Sequence, residues 1–227
     1  MSMNQLENVY TKPAVAGVLE TNRVLRNTYA LLSMTLLFSG ATAGLSMALE
    51  LPHPGLIVTL VGYFGLLFLV NRFRNSVWGL VFVFALTGFM GMTLGPILNL
   101  YLSHFVNGGQ MVMTALGGTG FIFVGLSAYA LTTRKNFSFM GGMLMAGIWV
   151  AFLAGIAAVF LPDMPGLQLA VSAMFILLMS GMILFQTSEI IHGGEDNYIL
   201  ATLSLYVSIF NLFTSLLQIL GILGNDE

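Results

Sequence analysis

Between Asn75 and Thr133 the chain carries no Asp, Glu, Lys or Arg, and from Asn197 to Asn225 it carries none either. Runs of this kind cannot build a solvated surface. Charged residues make up roughly a quarter of an ordinary soluble domain, whereas here they are 7% against 57% apolar, with a mean hydropathy of +0.92. A bilayer core of about 30 Å is crossed by about 20 helical residues. Only helices and closed barrels satisfy their backbone groups in that setting. Runs this long and uniformly apolar read as helices, so an all-α membrane protein is expected.

The stretch from Gly181 to Gly221 sets the pattern. An apolar segment ends near Ile191, the polar turn His192–Asn197 follows, and a second apolar segment runs from Tyr198 to Leu223. Glycine pairs and short polar residues break helices, so this is a transmembrane hairpin. The same punctuation gives seven spans: Thr28–Leu49, Leu56–Val70, Val77–Leu102, Met111–Thr132, Phe139–Leu161, Leu167–Ile191 and Tyr198–Leu223. All seven basic residues (Lys12, Arg23, Arg26, Arg72, Arg74, Arg134 and Lys135) fall before the first span or in the second-to-third and fourth-to-fifth connections. The opposite connections hold Glu50, His53, His104 and Asp163. Cytoplasmic loops collect Lys and Arg, which puts the N-terminus in the cytoplasm and the C-terminus on the outer side of the membrane. A six-span count would bring the C-terminus inside. Residues 1–22 read as a cytosolic tail, mobile as termini commonly are, and 23–227 as the seven-helix transmembrane domain.

Several function classes are excluded. A net charge of −2 offers no basic face for nucleic acid. The absence of cysteine removes disulfides, thiolate metal sites and a cysteine nucleophile. Mostly polar residues precede the first span, so it is no cleavable export signal. There is no HExxH and no GxSxG, and His53, His104 and His192 fall in or near loops on two different sides. No enzyme activity and no cofactor is expected. The span interiors hold polar but neutral groups: Asn99, Gln186, Ser208, Asn211 and Gln218. Glu189 lies one turn from the end of the sixth span, within reach of water. Gln186 and Asn211 are candidates for hydrogen bonds across helices. Gly40 and Gly44 in the first span, and Gly91 and Gly95 in the third, have the GxxxG spacing expected of tight packing within the bundle. Pro96 is expected to kink or break the third span.

At this point the residues carry a resemblance. The closing LSLYVSIFNLFTSLLQILG, the preceding ILFQTSEIIHGGEDNY and LTTRKNFSFMGGMLMAG at the fourth-to-fifth turn are similar to the Bax inhibitor-1 family. Val24–Tyr29 and Gly95–Asn99 narrow it to the bacterial YccA-like branch, and the similarity covers the chain from about Leu19. The resemblance implies a seven-helix bundle with the last helix central, in the bacterial inner membrane. It also implies a substrate and competitive modulator of the ATP-dependent membrane protease FtsH, which associates with HflK and HflC. The tail, with Lys12 and Glu20, would be the handle for degradation. Other branches imply a pH-sensitive calcium leak whose sensor is an aspartate pair. Leu184-Phe185-Gln186 matches the first acid motif and Leu205–Phe213 the second, so the sensor positions are the neutral Gln186 and Ser208. A pore-closing arginine of those branches would map near Arg72 or Phe73.

Overall fold

The structure, a computed structural model, describes residues 3–161 and 164–224, with side chains from Arg23 onward. Seven α-helices make it up: α1 (Met3–Ala48), α2 (Leu56–Phe73), α3 (Val77–His104), α4 (Gly108–Thr133), α5 (Gly141–Phe160), α6 (Pro165–His192) and α7 (Tyr198–Gly224), with a 3₁₀ turn at Ser138–Met140 before α5. All seven are long and apolar enough to cross a membrane, the first from Arg23 to Ala48. Even α2, the shortest at 18 residues, spans about 27 Å at 1.5 Å per residue. The segment set apart in the sequence as a tail is backbone helix continuous with α1 from Met3.

The termini of these helices follow from local chemistry. Ser76 caps α3 by accepting from the Trp78 N–H (3.3 Å). Asn197 caps α7 by accepting from the Ile199 and Leu200 N–H groups (3.0 and 3.2 Å), the role that a short polar residue ahead of an apolar run serves. Pro165 opens α6, where a missing N–H costs nothing. At the other end Gly193 takes the left-handed conformation (φ 76°) that a glycine adopts without a Cβ penalty.

α7 is the axis of the bundle. Between Ile199 and Leu217 none of its residues is exposed. It packs on α6, α4 and α1, and to a smaller extent on α3 and α2. α1 and α3 form the most extensive pair, α2 leans on α3, and α5 leans on α6. The outer helices meet edge to face at Phe64 and Phe152, 6.4 Å between ring centroids. Tyr206, Leu205, Val83, Leu86, Leu32 and Val70 are fully buried where α1, α2, α3 and α7 converge. Exposed apolar residues such as Leu37, Ile57, Phe121 and Leu177 form the outer surface that a bilayer would wet.

Lipid is as apolar as leucine, so association depends on close backbone approach. The α1–α3 seam shows how that is reached. A Cβ on Gly95 would lie 2.5 Å from the Ser46 side chain and 2.9 Å from the Ala43 carbonyl, and one on Gly91 would collide with Thr42 and the Ser39 backbone. Gly40 and Gly44, expected in the same kind of packing, instead face open space, because they lie on the side of α1 turned away from α3. The third span is not broken at Pro96, since α3 runs through it continuously. Proline removes the N–H that would bond the Met92 carbonyl four residues back. Ser46 on α1 supplies the replacement, its hydroxyl donating to Met92 O at 2.9 Å. A neighbouring Ser satisfying a freed carbonyl is what makes proline tolerable inside a membrane helix.

Candidate functional site

The α6–α7 crossing brings together the two positions singled out in the sequence. Ser208, 2% exposed, donates to Gln186 Oε1 at 3.3 Å across the helices. The same hydroxyl lies 3.0 Å from the Ser204 carbonyl on its own helix. Neither side chain titrates, so the pair can hold two helices together but cannot exchange a proton. Asn211, a candidate for the same bridging role, turns its amide back onto the Val207 carbonyl of α7 (2.8 Å), the local alternative open to short polar side chains. Asn99 does bridge, donating to the Met47 carbonyl of α1 at 3.1 Å.

A second polar line escaped the sequence reading. Tyr206 OH and Ser39 Oγ lie 2.7 Å apart, and the tyrosine also reaches the Thr87 carbonyl (3.3 Å). One phenol thus ties α7 to α1 and α3 in the middle of the core. Thr202 donates to the Thr28 carbonyl at 3.2 Å, a second α7–α1 tie. Tyr29 OH lies 3.5 Å from Thr187 on α6. Hydroxyls within apolar runs were the only sign of this network, and no spacing along the chain says which of them meet.

The end of the bundle that carries the basic loops is locked by α6. Glu189, half-buried, accepts from the Ser138 hydroxyl at 2.6 Å. Ser188, fully buried, accepts from the Phe137 N–H (2.9 Å) and reaches the Lys135 carbonyl (3.2 Å). His192 completes the lock with its Nε2 3.1 Å from the Arg134 carbonyl and its Nδ1 2.9 Å from the Ser188 carbonyl. Across the same end, Asn197 donates to the Arg74 carbonyl (3.1 Å) and to Asn75 (2.8 Å), which pins the α2–α3 loop to the start of α7. Arg72 is exposed and lies 5.9 Å from its neighbour's ring, Phe73. The side chains of Lys12 and Glu20 lie outside the described residues. Among the described residues no group of three His, Asp or Glu could hold a metal ion.

The arrangement is a set of helix-to-helix and loop-to-helix ties. Comparison with known proteins agrees in scale with the whole bundle. A family model described as inhibitor of apoptosis-promoting Bax1 matches residues 21–225. The chain is 57% identical to the modulator of FtsH protease YccA of Escherichia coli strain K12, over 92% of this chain and 94% of that protein. It is 57% identical, over the same shares, to a protein of Escherichia coli O6:H1 named inner membrane protein YccA. Bax inhibitor 1 of Schizosaccharomyces pombe is 29% identical over 89% of this chain and 77% of its own length.

Proposed function

The chain belongs to the Bax inhibitor-1 family, and from that premise we propose that it is a multi-pass inner-membrane modulator of the protease FtsH, at once its substrate and its competitive inhibitor. The observation that carries the reading is the 57% identity, over nearly the full length of both chains, to a protein named as modulator of that protease. The same relation, with a counterpart named as an inner membrane protein, supports the location. The interior offers hydroxyls, amides and backbone ties rather than paired nucleophiles and bases, which suits a protein that acts by binding.

The N-terminus lies in the cytoplasm, with residues 1–22, including Lys12 and Glu20, as the segment FtsH engages, and the C-terminus in the periplasm. Support comes from the one-sided placement of the basic residues and from the odd number of spans. HflK and HflC, companions of FtsH, complete the assembly. The competing reading, a pH-gated calcium leak, needs two acids facing one another, and Gln186 and Ser208 occupy that crossing.

Affinity purification from mildly solubilised membranes tests the proposal. FtsH, with HflK and HflC, should be retained at levels well above an unrelated seven-helix protein. Added purified chain should slow degradation of a second membrane substrate by FtsH in proportion to its concentration. Failure to co-purify together with no slowing would refute it.

A further inference from the structure

At the end of the bundle opposite the basic loops, α1 and α3 finish side by side and border an open-mouthed cavity of about 580 Å³. Its lining joins apolar groups such as Met47 and Leu100 to Glu50, His53, Asn99 and Ser103. Both helices point their C-termini at it, and a helix C-terminus carries a partial negative charge. Glu50 adds a full one. It follows the end of α1 with φ 50°, while the Leu51 N–H reaches back to the Ser46 carbonyl (3.1 Å). In this helix stop the left-handed position is ordinarily glycine. A carboxylate there meets both the Cβ penalty and an opposing dipole, and a glycine would relieve both.

Among the described residues no cationic side chain pairs with this charge. Glu50 is exposed; its N–H bonds the Met47 carbonyl (3.1 Å), its carboxylate has no hydrogen-bond or ion-pair partner among the described residues, and the connections at this end contain no Lys or Arg. His53 accepts the Gly55 N–H on Nδ1 (3.0 Å). Asn99 has its amide nitrogen on Met47 O, which leaves its oxygen as a further acceptor. One carboxylate and one amide oxygen would leave most of calcium's six to eight oxygens to water and backbone, and among the described residues no second acid stands by to strengthen such a site. Apolar walls suit an alkyl chain.

We propose that this cavity binds an organic ammonium group, the amine of a small soluble molecule or of an ethanolamine lipid headgroup, with Glu50 as counter-ion. The carboxylate and the Asn99 oxygen accept its N–H groups, and Met47 and Leu100 pack along its carbon chain.

Methyl-¹³C methionine labelling of the full chain in nanodiscs reads this directly, with Met47→Leu assigning the Met47 resonance. Titration with n-propylammonium chloride in phosphatidylglycerol discs, against sodium chloride at matched ionic strength, should shift Met47 saturably. Replacing phosphatidylglycerol with phosphatidylethanolamine should shift it without added amine if the headgroup is the source. Response to either probe supports the site and identifies the source. Glu50→Gln should weaken binding at least tenfold. Glu50→Gly should abolish it while raising the thermal midpoint, which separates binding from folding. A Met47 resonance unmoved by both probes, or moved equally in Glu50→Gln, overturns the proposal.

Discussion

At Pro96 a helix loses one N–H, and the carbonyl left over belongs to Met92. Ser46 takes it up from another helix at 2.9 Å, so the two residues should be coupled. Ser46→Ala should cost about 1–2 kcal/mol by leaving a carbonyl unmet within the span, where no water replaces the bond. In a Pro96→Ala background, where the backbone N–H returns, it should cost much less, and a double-mutant cycle of unfolding in mixed micelles reads the difference. The Gln186–Ser208 pair yields a second prediction. Two carboxylates in a low-dielectric site cannot both ionise freely, so one pKa rises strongly. A carboxyl whose folded pKa exceeds its unfolded value adds stability below the unfolded value and loses it as pH rises through the folded one. Gln186→Asp with Ser208→Asp should therefore melt progressively earlier than the unmodified protein between about pH 6 and 8, and each single variant should show a smaller trend. Calcium flux into liposomes containing the unmodified protein should be low and should lack this pH trend. The pairing of Gln186 with Ser208 was legible only through the family resemblance, since the residues by themselves suggested Gln186 and Asn211 as the bridging pair. The Tyr206–Ser39 tie was not, since its partners lie 167 residues apart and no spacing joins them.

The helices themselves were legible nearly to the residue, because charges and glycine-rich turns mark where a span meets water. The exception is α1, whose backbone helix includes the segment before Arg23; a polar sequence there gives no membrane signal, although nothing prevents a helix from continuing. GxxxG spacing marked two helix faces alike, yet only Gly91 and Gly95 meet a neighbour. Spacing tells that a face can be approached closely, and tertiary packing decides whether it is. Gly95→Ala should force α1 and α3 apart at Ser46 and Ala43 and cost about 1–3 kcal/mol, the range for overpacking a tight site. Gly44→Ala, with nothing within 4 Å of the added carbon, should fall within about 0.5 kcal/mol of the unmodified protein. Thermal midpoints in one detergent, compared side by side, separate the two.

Seven crossings with every basic residue at one end make a molecule whose two faces differ. A reporter active only in the periplasm should work when fused after Glu227 and fail at Asn136, and a silent C-terminal fusion would require an even number of crossings. The same one-sidedness bears on how such a protein would inhibit the protease that degrades it. On the proposed engagement of residues 1–22, an ATP-driven protease would pull through the first part of α1 and at Arg23 meet its membrane-spanning part. Val24 and Leu25 pack against the main core cluster, and α1 is clamped to α3 through Gly91 and Gly95 and to α7 through Ser39 and Thr28. A substrate that is engaged readily and unfolds slowly occupies the enzyme, which is competitive inhibition without any dedicated inhibitory element. The two steps can be set apart. Deleting Lys12–Glu20 removes engagement, so the half-life in cells with FtsH should lengthen with membrane insertion unchanged. Gly95→Ala with the tail intact leaves engagement alone and loosens the clamp, so the chain should be degraded faster and should inhibit less. Combining both changes should restore the long half-life, because a loosened bundle that is never gripped is not pulled apart. If Gly95→Ala shortens the half-life equally with and without the tail, engagement occurs elsewhere and residues 1–22 are not the handle.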